Sequence, residues 1–236
     1  MFIHKKEPIH TVKVEQPDPE FAQQLLEQFG GATGELTAAL QYWVQSFHTE
    51  DAGIRDMLQD IATEEFSHLE MVGLLIEQHT KRAKHDSQDR AYNSTLFKMR
   101  GIGPHFLDSQ GVAWDAKYIN EGGNTVRDLR ANIGAEAGAL QTYENLLTIA
   151  PDEGTRNALR HLATREVSHA KMFMTALKSM NKLDDPLFGD LKPDETVDLY
   201  FNMSSDGQDQ RGPWNSEPAF KYIADPLKEA MQRSKG

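Results

Sequence analysis

The sequence predicts an all-α protein, a four-helix bundle with a long crossover between its second and third helices. Three observations support this prediction. Four stretches carry apolar residues at helical spacing, one motif recurs 101 residues later, and a connection rich in glycine, proline and polar residues separates the two copies. The predicted organisation is an N-terminal extension at 1–17, the bundle at 18–181, and an irregular C-terminal tail at 182–236 that wraps the bundle or a neighbouring subunit.

Helix one is predicted to begin at Asp18-Pro19-Glu20, where a capping aspartate precedes a proline and an acidic residue. Its apolar spacing continues to about Phe47, across Gly30, Gly31 and Gly34. A glycine inside a helix costs roughly 1 kcal/mol relative to alanine. Three glycines in so short a stretch predict close backbone packing or a local distortion.

The remaining helices are predicted at about 51–80, 124–151 and 152–180. Each has one apolar face, which is interrupted by acidic or imidazole side chains. Because these side chains share a face with core residues, we expect them to point inward. They are Glu65 and His68 in the second helix, Glu136 in the third, and Glu166 and His169 in the fourth.

The repeated motif is Glu-x-x-His, present as Glu65–His68 and again as Glu166–His169. Residues three apart lie on one side of a helix, so each copy presents a carboxylate beside an imidazole. Glu35 precedes the first copy by thirty residues, and Glu136 precedes the second by the same interval. Ferritin-like bundles bind two metal ions with this set, one Glu from each of two helices and Glu-x-x-His from each of the others.

Burial of these carboxylates is a strong argument for metal. An ionised carboxylate in a core costs several kcal/mol unless it is paired or bound to a cation. Two divalent ions remove that cost, so the sequence predicts a dinuclear site rather than a core of satisfied polar groups.

Several other polar residues are not predicted to bind metal. Tyr42 and Tyr143 lie two turns beyond Glu35 and Glu136, and we expect either core packing or a hydrogen bond to that earlier carboxylate. Glu64 is expected to be exposed. Five histidines are expected at the surface or in loops: His48, His79, His85, His105 and His161.

The composition limits which partners the protein can bind and which reactions it can catalyse. The net charge of −11 argues against nucleic acid and anionic membranes, which bind proteins through Lys and Arg. No apolar run is long enough to span a bilayer and the N-terminus has no signal-peptide pattern, so we expect a soluble, cytoplasmic protein. The absence of cysteine excludes thiol catalysis, iron–sulfur clusters and cysteine-ligated zinc.

The donor set leaves the metal open. Carboxylate oxygen and imidazole nitrogen without sulfur suit manganese or iron, and the ligands alone do not separate the two. The spacing of the candidate ligands is therefore compatible with iron oxidation and storage, with oxygen activation, or with disproportionation of peroxide.

Several segments of the chain form a further pattern: Phe2-Ile3-His4-Lys5-Lys6-Glu7-Pro8, Gly30-Gly31-Ala32-Thr33-Gly34-Glu35-Leu36, both Glu-x-Ser-His copies, and Arg211-Gly212-Pro213-Trp214-Asn215. With these segments the sequence resembles the non-haem manganese catalases along nearly its whole length. The resemblance implies a ferritin-like bundle, typically a hexamer, that contains no haem and converts hydrogen peroxide to water and dioxygen. The alternatives are a di-iron ferroxidase or storage protein and a spore-coat-like structural protein with a vestigial site.

The resemblance implies a less symmetric ligand set than the repeat does. Two manganese ions per subunit would share bridging water or hydroxide, and Glu166 would lie beside these bridges without binding metal. Two Mn(II) ions bring a charge of +4 and three carboxylates return −3, which leaves +1 for a hydroxide or peroxide anion. The implied ligands are Glu35, Glu65 and His68 on one ion and Glu136 and His169 on the other, with Glu65 bridging both.

Further roles follow from the same resemblance. Glu166 is predicted to accept and donate protons while the metal pair cycles between Mn(II)/Mn(II) and Mn(III)/Mn(III), and Tyr42 is a further candidate beside the site. Some family members have an arginine just before the third ligand Glu, whereas this chain has Ala135. Some members also bind calcium near a subunit contact, and four residues here resemble those ligands: Asp56, Asp60, Asn202 and Ser204.

Overall fold

The computed structural model describes residues 5–81, 94–204 and 210–234. Its bundle confirms the predicted all-α, ferritin-like class: α5 packs along α6, and α3 packs along α1 and α2. In the described ranges the helices are α1 (Pro19–Gly30), α2 (Glu35–Gln45), α3 (Ala52–Lys81), α4 (Thr95–Arg100), α5 (Thr125–Ile149), α6 (Glu153–Ser179) and α7 (Pro226–Arg233), with short 3-10 turns at Ser46–His48 and Ala116–Tyr118.

Helix starts follow the predicted capping signals. The Asp18 carboxylate accepts hydrogen bonds from the backbone N–H groups of Glu20 and Phe21, and Pro19 occupies the first turn. Asn124 and Asp152 cap α5 and α6 in the same way. A cap of this kind stabilises a helix by about 1 kcal/mol because it satisfies N–H groups that have no partner within the helix.

The expectation that helix one continues unbroken to Phe47 is wrong. α1 ends at Gly30 and α2 begins at Glu35. The backbone passes too close to its neighbours for side chains here: a Cβ on Gly30 would lie 2.6 Å from the backbone of Leu107, and one on Gly34 would lie 2.7 Å from the carbonyl oxygen of Gln28. The break therefore makes Glu35 the first residue of a separate helix.

The long crossover is present between α3 and α5. It contains α4 and an antiparallel bridge between Leu107 and Ala113, and it returns to the end of the bundle where α2 finishes. There, Gln41 Oε1 accepts from the Asn120 N–H at 2.8 Å, and Gln45 Nε2 donates to the Asn120 carbonyl at 3.0 Å. No helix in the described ranges is both long and apolar enough to cross a bilayer.

Two apolar clusters fill the bundle, one toward each end. The first combines α1, the C-terminal halves of α3 and α5 and the N-terminal half of α6, including Leu25, Leu75 and Leu159. The second combines α2, the N-terminal halves of α3 and α5 and the C-terminal half of α6, including Leu58 and Phe173. On α3, α5 and α6 the predicted ligands fall between these clusters in the sequence, so the clusters enclose the polar site from both ends.

The chain divides into two compact units, one through Phe188 and one from Gly189. The second unit contains regular structure where an irregular tail was expected. Its strands β1 (Leu199–Phe201) and β2 (Lys221–Ile223) pair in parallel, with Tyr200 opposite Tyr222, and α7 follows. The predicted domain limits and the wrapping of the tail stay predictions.

Candidate metal centre

The structure brings all six repeated Glu and His residues into one cluster in the bundle core. Each is at most 1% exposed. Within the described ranges, two groups of donors are close enough together to hold a cation, and they share Glu65 and Glu166. One group is Glu35, Glu65, His68 and Glu166, and the other is Glu65, Glu136, Glu166 and His169.

Helical spacing aligns each Glu-x-x-His pair as predicted. On α3, His68 Nδ1 lies 2.7 Å from Glu65 Oε2. On α6, the Nδ1 atom of His169 faces the first helix pair and lies 2.8 Å from Glu65 Oε1. The two imidazole rings stack with centroids 5.6 Å apart. Both histidines thus present Nδ1 to the cluster, and Glu65 directs one oxygen to each of them.

The cluster fits a pair of cations better than it fits any internal hydrogen-bond network. Among the side chains that the structure describes, several buried atoms here have no hydrogen-bond partner. An unpaired buried polar atom costs about 1–3 kcal/mol, and more if it is charged. Coordination would satisfy them, and oxygen with imidazole suits manganese. The atoms that a cation in the cluster would satisfy are Glu65 Oε1, Glu136 Oε2, Glu166 Oε1 and His169 Nδ1. On the other side of the two rings, His68 Nε2 and His169 Nε2 also have no hydrogen-bond partner in the described part of the chain.

Electrostatics separates the two motif carboxylates. Burial would raise the pKa of Glu65, but its contacts with His169 and His68 outweigh burial and lower that pKa to about 2. Burial and then the neighbouring carboxylates, Glu65 foremost, raise the pKa of Glu166 well above its ordinary value. Burial likewise raises the pKa of Glu35 to about 7. The surroundings therefore favour the anion at Glu65, whereas burial and like charge favour the neutral form at Glu166.

The two tyrosines are hydrogen-bonded to carboxylates, but not to the expected ones. Tyr42 Oη donates to Glu136 Oε1 at 2.6 Å, and Tyr143 Oη donates to Glu35 Oε1. Each tyrosine therefore donates to a carboxylate of the other helix pair, and not to the carboxylate two turns earlier in its own helix pair. The helices cross so that position 42 faces α5 and position 143 faces α2.

Glu64 is not the exposed residue that its off-stripe position predicted. Its side chain is 22% exposed and pairs with Arg165, the residue at the matching position of the repeat. Arg165 Nε donates to Glu64 Oε1 at 2.6 Å and Nη2 donates to Oε2 at 3.3 Å. The signal in the sequence was the opposite charge at these repeat-related positions, immediately before the two motif glutamates.

His79 is also buried, against expectation. It is 0% exposed, at the C-terminal end of α3. Its Nδ1 accepts from the Asp18 N–H at 3.1 Å, while its Nε2 lies 3.2 Å from Thr155 Oγ1, which donates to Asp152. Burial lowers the pKa of His79 to about 4, so the ring is neutral and links the starts of α1 and α6.

The four calcium candidates lie in different units. Asp56 and Asp60 are exposed on α3. In the second unit, Asn202 Oδ1 accepts from the backbone N–H and hydroxyl of Ser204 at 3.0 and 2.9 Å. In the described ranges two donor groups could hold a cation, and neither of them includes these residues. The calcium site stays a prediction.

Comparison with known proteins gives a consistent family. The family model described as "Manganese containing catalase" matches residues 1–235. A manganese catalase from Anabaena PCC7120, known from its crystal structure, is 69% identical, with a TM-score of 0.90 over 96% of this chain and 100% of that chain.

Two curated relatives agree with this match. A probable manganese catalase of Clostridium acetobutylicum is 35% identical over 93% of this chain and 98% of its own length. A manganese catalase of Lactiplantibacillus plantarum is 32% identical over 77% of this chain and 73% of its own.

Proposed function

The chain belongs to the family of manganese-containing catalases, and from this premise we propose that its core cluster disproportionates hydrogen peroxide as a dimanganese enzyme. Two molecules of peroxide give two of water and one of dioxygen. The observation that carries the proposal is the pair of buried donor groups that share Glu65 and Glu166.

Glu65 is proposed as the carboxylate that bridges the two ions. Its two oxygens lie 2.7 and 2.8 Å from the Nδ1 atoms of His68 and His169, so each oxygen is beside a different histidine. Glu35 would complete the site of His68, and Glu136 would complete that of His169. Tyr42 and Tyr143 hold one oxygen of each of these terminal carboxylates, which leaves the other oxygen free to bind metal.

Proton handling is assigned to Glu166. When bound, the manganese pair supplies and takes back two electrons, one per ion. Oxidation of one peroxide to dioxygen also releases two protons, and reduction of the other to two waters consumes two. Glu166 Oε1 is buried and has no hydrogen-bond partner among the described residues, and Glu166 belongs to both donor groups. Its raised pKa suits a group that exchanges a proton at this atom.

One preparation tests the proposal. Protein purified from cells supplied with both manganese and iron is analysed for metal content, and dioxygen release is then recorded with an oxygen electrode after addition of peroxide. Two manganese ions per chain with dioxygen release support the dimanganese catalase. Iron without dioxygen release would indicate a ferroxidase, and neither metal nor release would indicate a structural protein.

Assembly, calcium and location are proposed on the family's pattern. We propose a homo-oligomer, a hexamer, and exposed apolar side chains on the bundle such as Phe66, Val167 and Met174 support burial between copies. Light scattering on the purified protein tests this. Calcium at Asp56 and Asp60 is tested by metal analysis of Asp56→Asn and Asp60→Asn variants. A cytoplasmic location stays a prediction.

A further inference from the structure

A single carboxylate lies behind both histidines, on the side away from the metal cluster. Glu64 Oε1 is 3.5 Å from His68 Nε2, and Glu64 Oε2 is 3.2 Å from His169 Nε2. These are ion-pair distances, and neither Nε2 atom forms a hydrogen bond within the described residues. The Nδ1 atoms of the same rings face Glu65. Each imidazole is thus placed between a cluster carboxylate at one nitrogen and Glu64 at the other.

Arg165 fixes the position of that carboxylate. Its guanidinium forms a two-pronged contact with both Glu64 oxygens, and its third nitrogen donates to Ser168 Oγ at 3.3 Å. A planar guanidinium matches a carboxylate in this geometry and restricts its rotation. Each Glu64 oxygen therefore faces one arginine nitrogen and one histidine nitrogen.

This arrangement has a defined consequence for metal ligands. A histidine binds metal through one nitrogen, and the group at its other nitrogen sets the ring's tautomer and orientation. A carboxylate at Nε2 keeps the proton there and leaves the Nδ1 lone pair directed at the cluster. Two histidines usually have two such partners, whereas here one side chain faces both.

We propose that Glu64 is a shared positioning residue that orients both histidine ligands, and that Arg165 acts through it. This inference rests on the proposed function, because it assigns His68 and His169 as ligands. Glu64 is not itself a ligand, since it contacts the rings from the side opposite Glu65 and belongs to neither donor group. Loss of Glu64 should therefore disturb both metal positions together.

The test compares Glu64→Ala, Glu64→Gln and Glu64→Asp with Glu144→Gln, which removes an equal charge from an exposed position of α5. Manganese affinity is measured by competition with a chelator. We expect Glu64→Ala to weaken binding by roughly 10–100-fold, as for other carboxylates behind metal-bound histidines. Glu64→Gln should show a smaller loss, because its amide oxygen can accept from only one ring. Glu64→Asp should restore part of the affinity, and Glu144→Gln should match the wild type.

Arg165 provides an independent readout. If it acts only through Glu64, Arg165→Ala should weaken manganese binding in the wild-type background and have no further effect in Glu64→Ala. The electron paramagnetic resonance spectrum of the manganese pair, recorded at full occupancy, should change in Glu64→Ala and Glu64→Gln but not in Glu144→Gln. Circular dichroism identifies any variant that fails to fold, and Glu64→Gln, which preserves shape, then decides the question.

Manganese affinity within twofold of wild type in folded Glu64→Ala or Glu64→Gln, with an unchanged spectrum, overturns the proposal. Independent losses for Arg165→Ala and Glu64→Ala would overturn the role given to Arg165. The proposed function fails separately: a wild-type protein that binds manganese but releases no dioxygen from peroxide is not a catalase, and the comparison of affinities still decides the role of Glu64. A wild type that binds no manganese would refute both.

Discussion

The two helix pairs carry the same side chains at the same spacing, yet they use them differently. In the first pair the chain breaks before Glu35, which begins α2. In the second, Glu136 lies within the continuous helix α5, and Ala135 occupies the position that matches Gly34. The repeat therefore supplies equivalent donors on two different backbones.

The motif carboxylates differ more sharply. Glu65 lies between both histidines, and its pKa is lowered to about 2, whereas burial and other carboxylates raise the pKa of Glu166 well above normal. Position in the assembled core, rather than the motif, therefore distinguishes the glutamate proposed as a bridging anion from the one proposed as a proton carrier. Duplication provides the donors, and their surroundings assign the roles.

The largest effect is expected from comparing Glu65→Gln with Glu166→Gln. The first should lose manganese and activity together, because it removes the proposed bridge. The second should retain two manganese ions per chain while turnover falls by roughly 10²–10⁴-fold, the usual contribution of acid–base catalysis. Metal analysis and dioxygen release measured on the same samples check both. Loss of metal in Glu166→Gln would make Glu166 a ligand and restore the symmetry of the repeat.

The two halves also differ at His79, because the residue at the matching position of the repeat is Met180. The folded pKa of His79 is about 4 and its ordinary value is 6.5, so between these values the unfolded chain binds more protons. Stability from this group is therefore complete above pH 6.5 and falls by about 3 kcal/mol as the pH drops to 4.

Urea unfolding at pH 4.5 and 7.5 measures that loss. The pH dependence should be smaller in His79→Gln, which does not titrate, and the difference between wild type and variant isolates the histidine from other groups. An equal pH dependence in both proteins would show that the buried ring does not control stability in this range.

Glycine substitutions should have opposite effects in the two halves. Gly34→Ala would bring a Cβ to 2.7 Å from the Gln28 carbonyl oxygen and is expected to destabilise the fold by roughly 1–3 kcal/mol. Gly134→Ala, in α5, meets no atom within 4 Å and should stabilise it by roughly 0.5–1 kcal/mol. Thermal unfolding distinguishes them. Changes of the same sign would mean that the break before α2 is not set by backbone contact.

The smallest predicted difference between the two halves concerns the crossed tyrosines. Tyr42→Phe and Tyr143→Phe each remove one hydrogen bond between the halves, so each should cost about 1 kcal/mol in the free energy of unfolding. Since the two bonds are equivalent in the repeat, the costs should agree closely. Chemical denaturation of the metal-free protein measures them, and a clearly unequal pair would show that the two terminal carboxylates are held differently.

Local features of the chain could be predicted from its amino-acid order. The spacing of Glu65, His68, Glu166 and His169 on apolar faces was enough to place them together in a helical core, because helical periodicity fixes the direction of each side chain relative to its own axis. Capping residues such as Asp18 marked the helix starts for the same reason: their hydrogen bonds are local.

Other features depend on contacts between distant segments, and only the tertiary structure decided them. Periodicity says which face a residue occupies, but not which atom of another helix lies opposite. Hence the crossed bonds of Tyr42 and Tyr143, the place of Glu64 behind both histidines, and the burial of His79 were not predictable from one helix at a time. The sequence by itself determined which donors enter the core, and the packing of the two halves determined what each donor faces there.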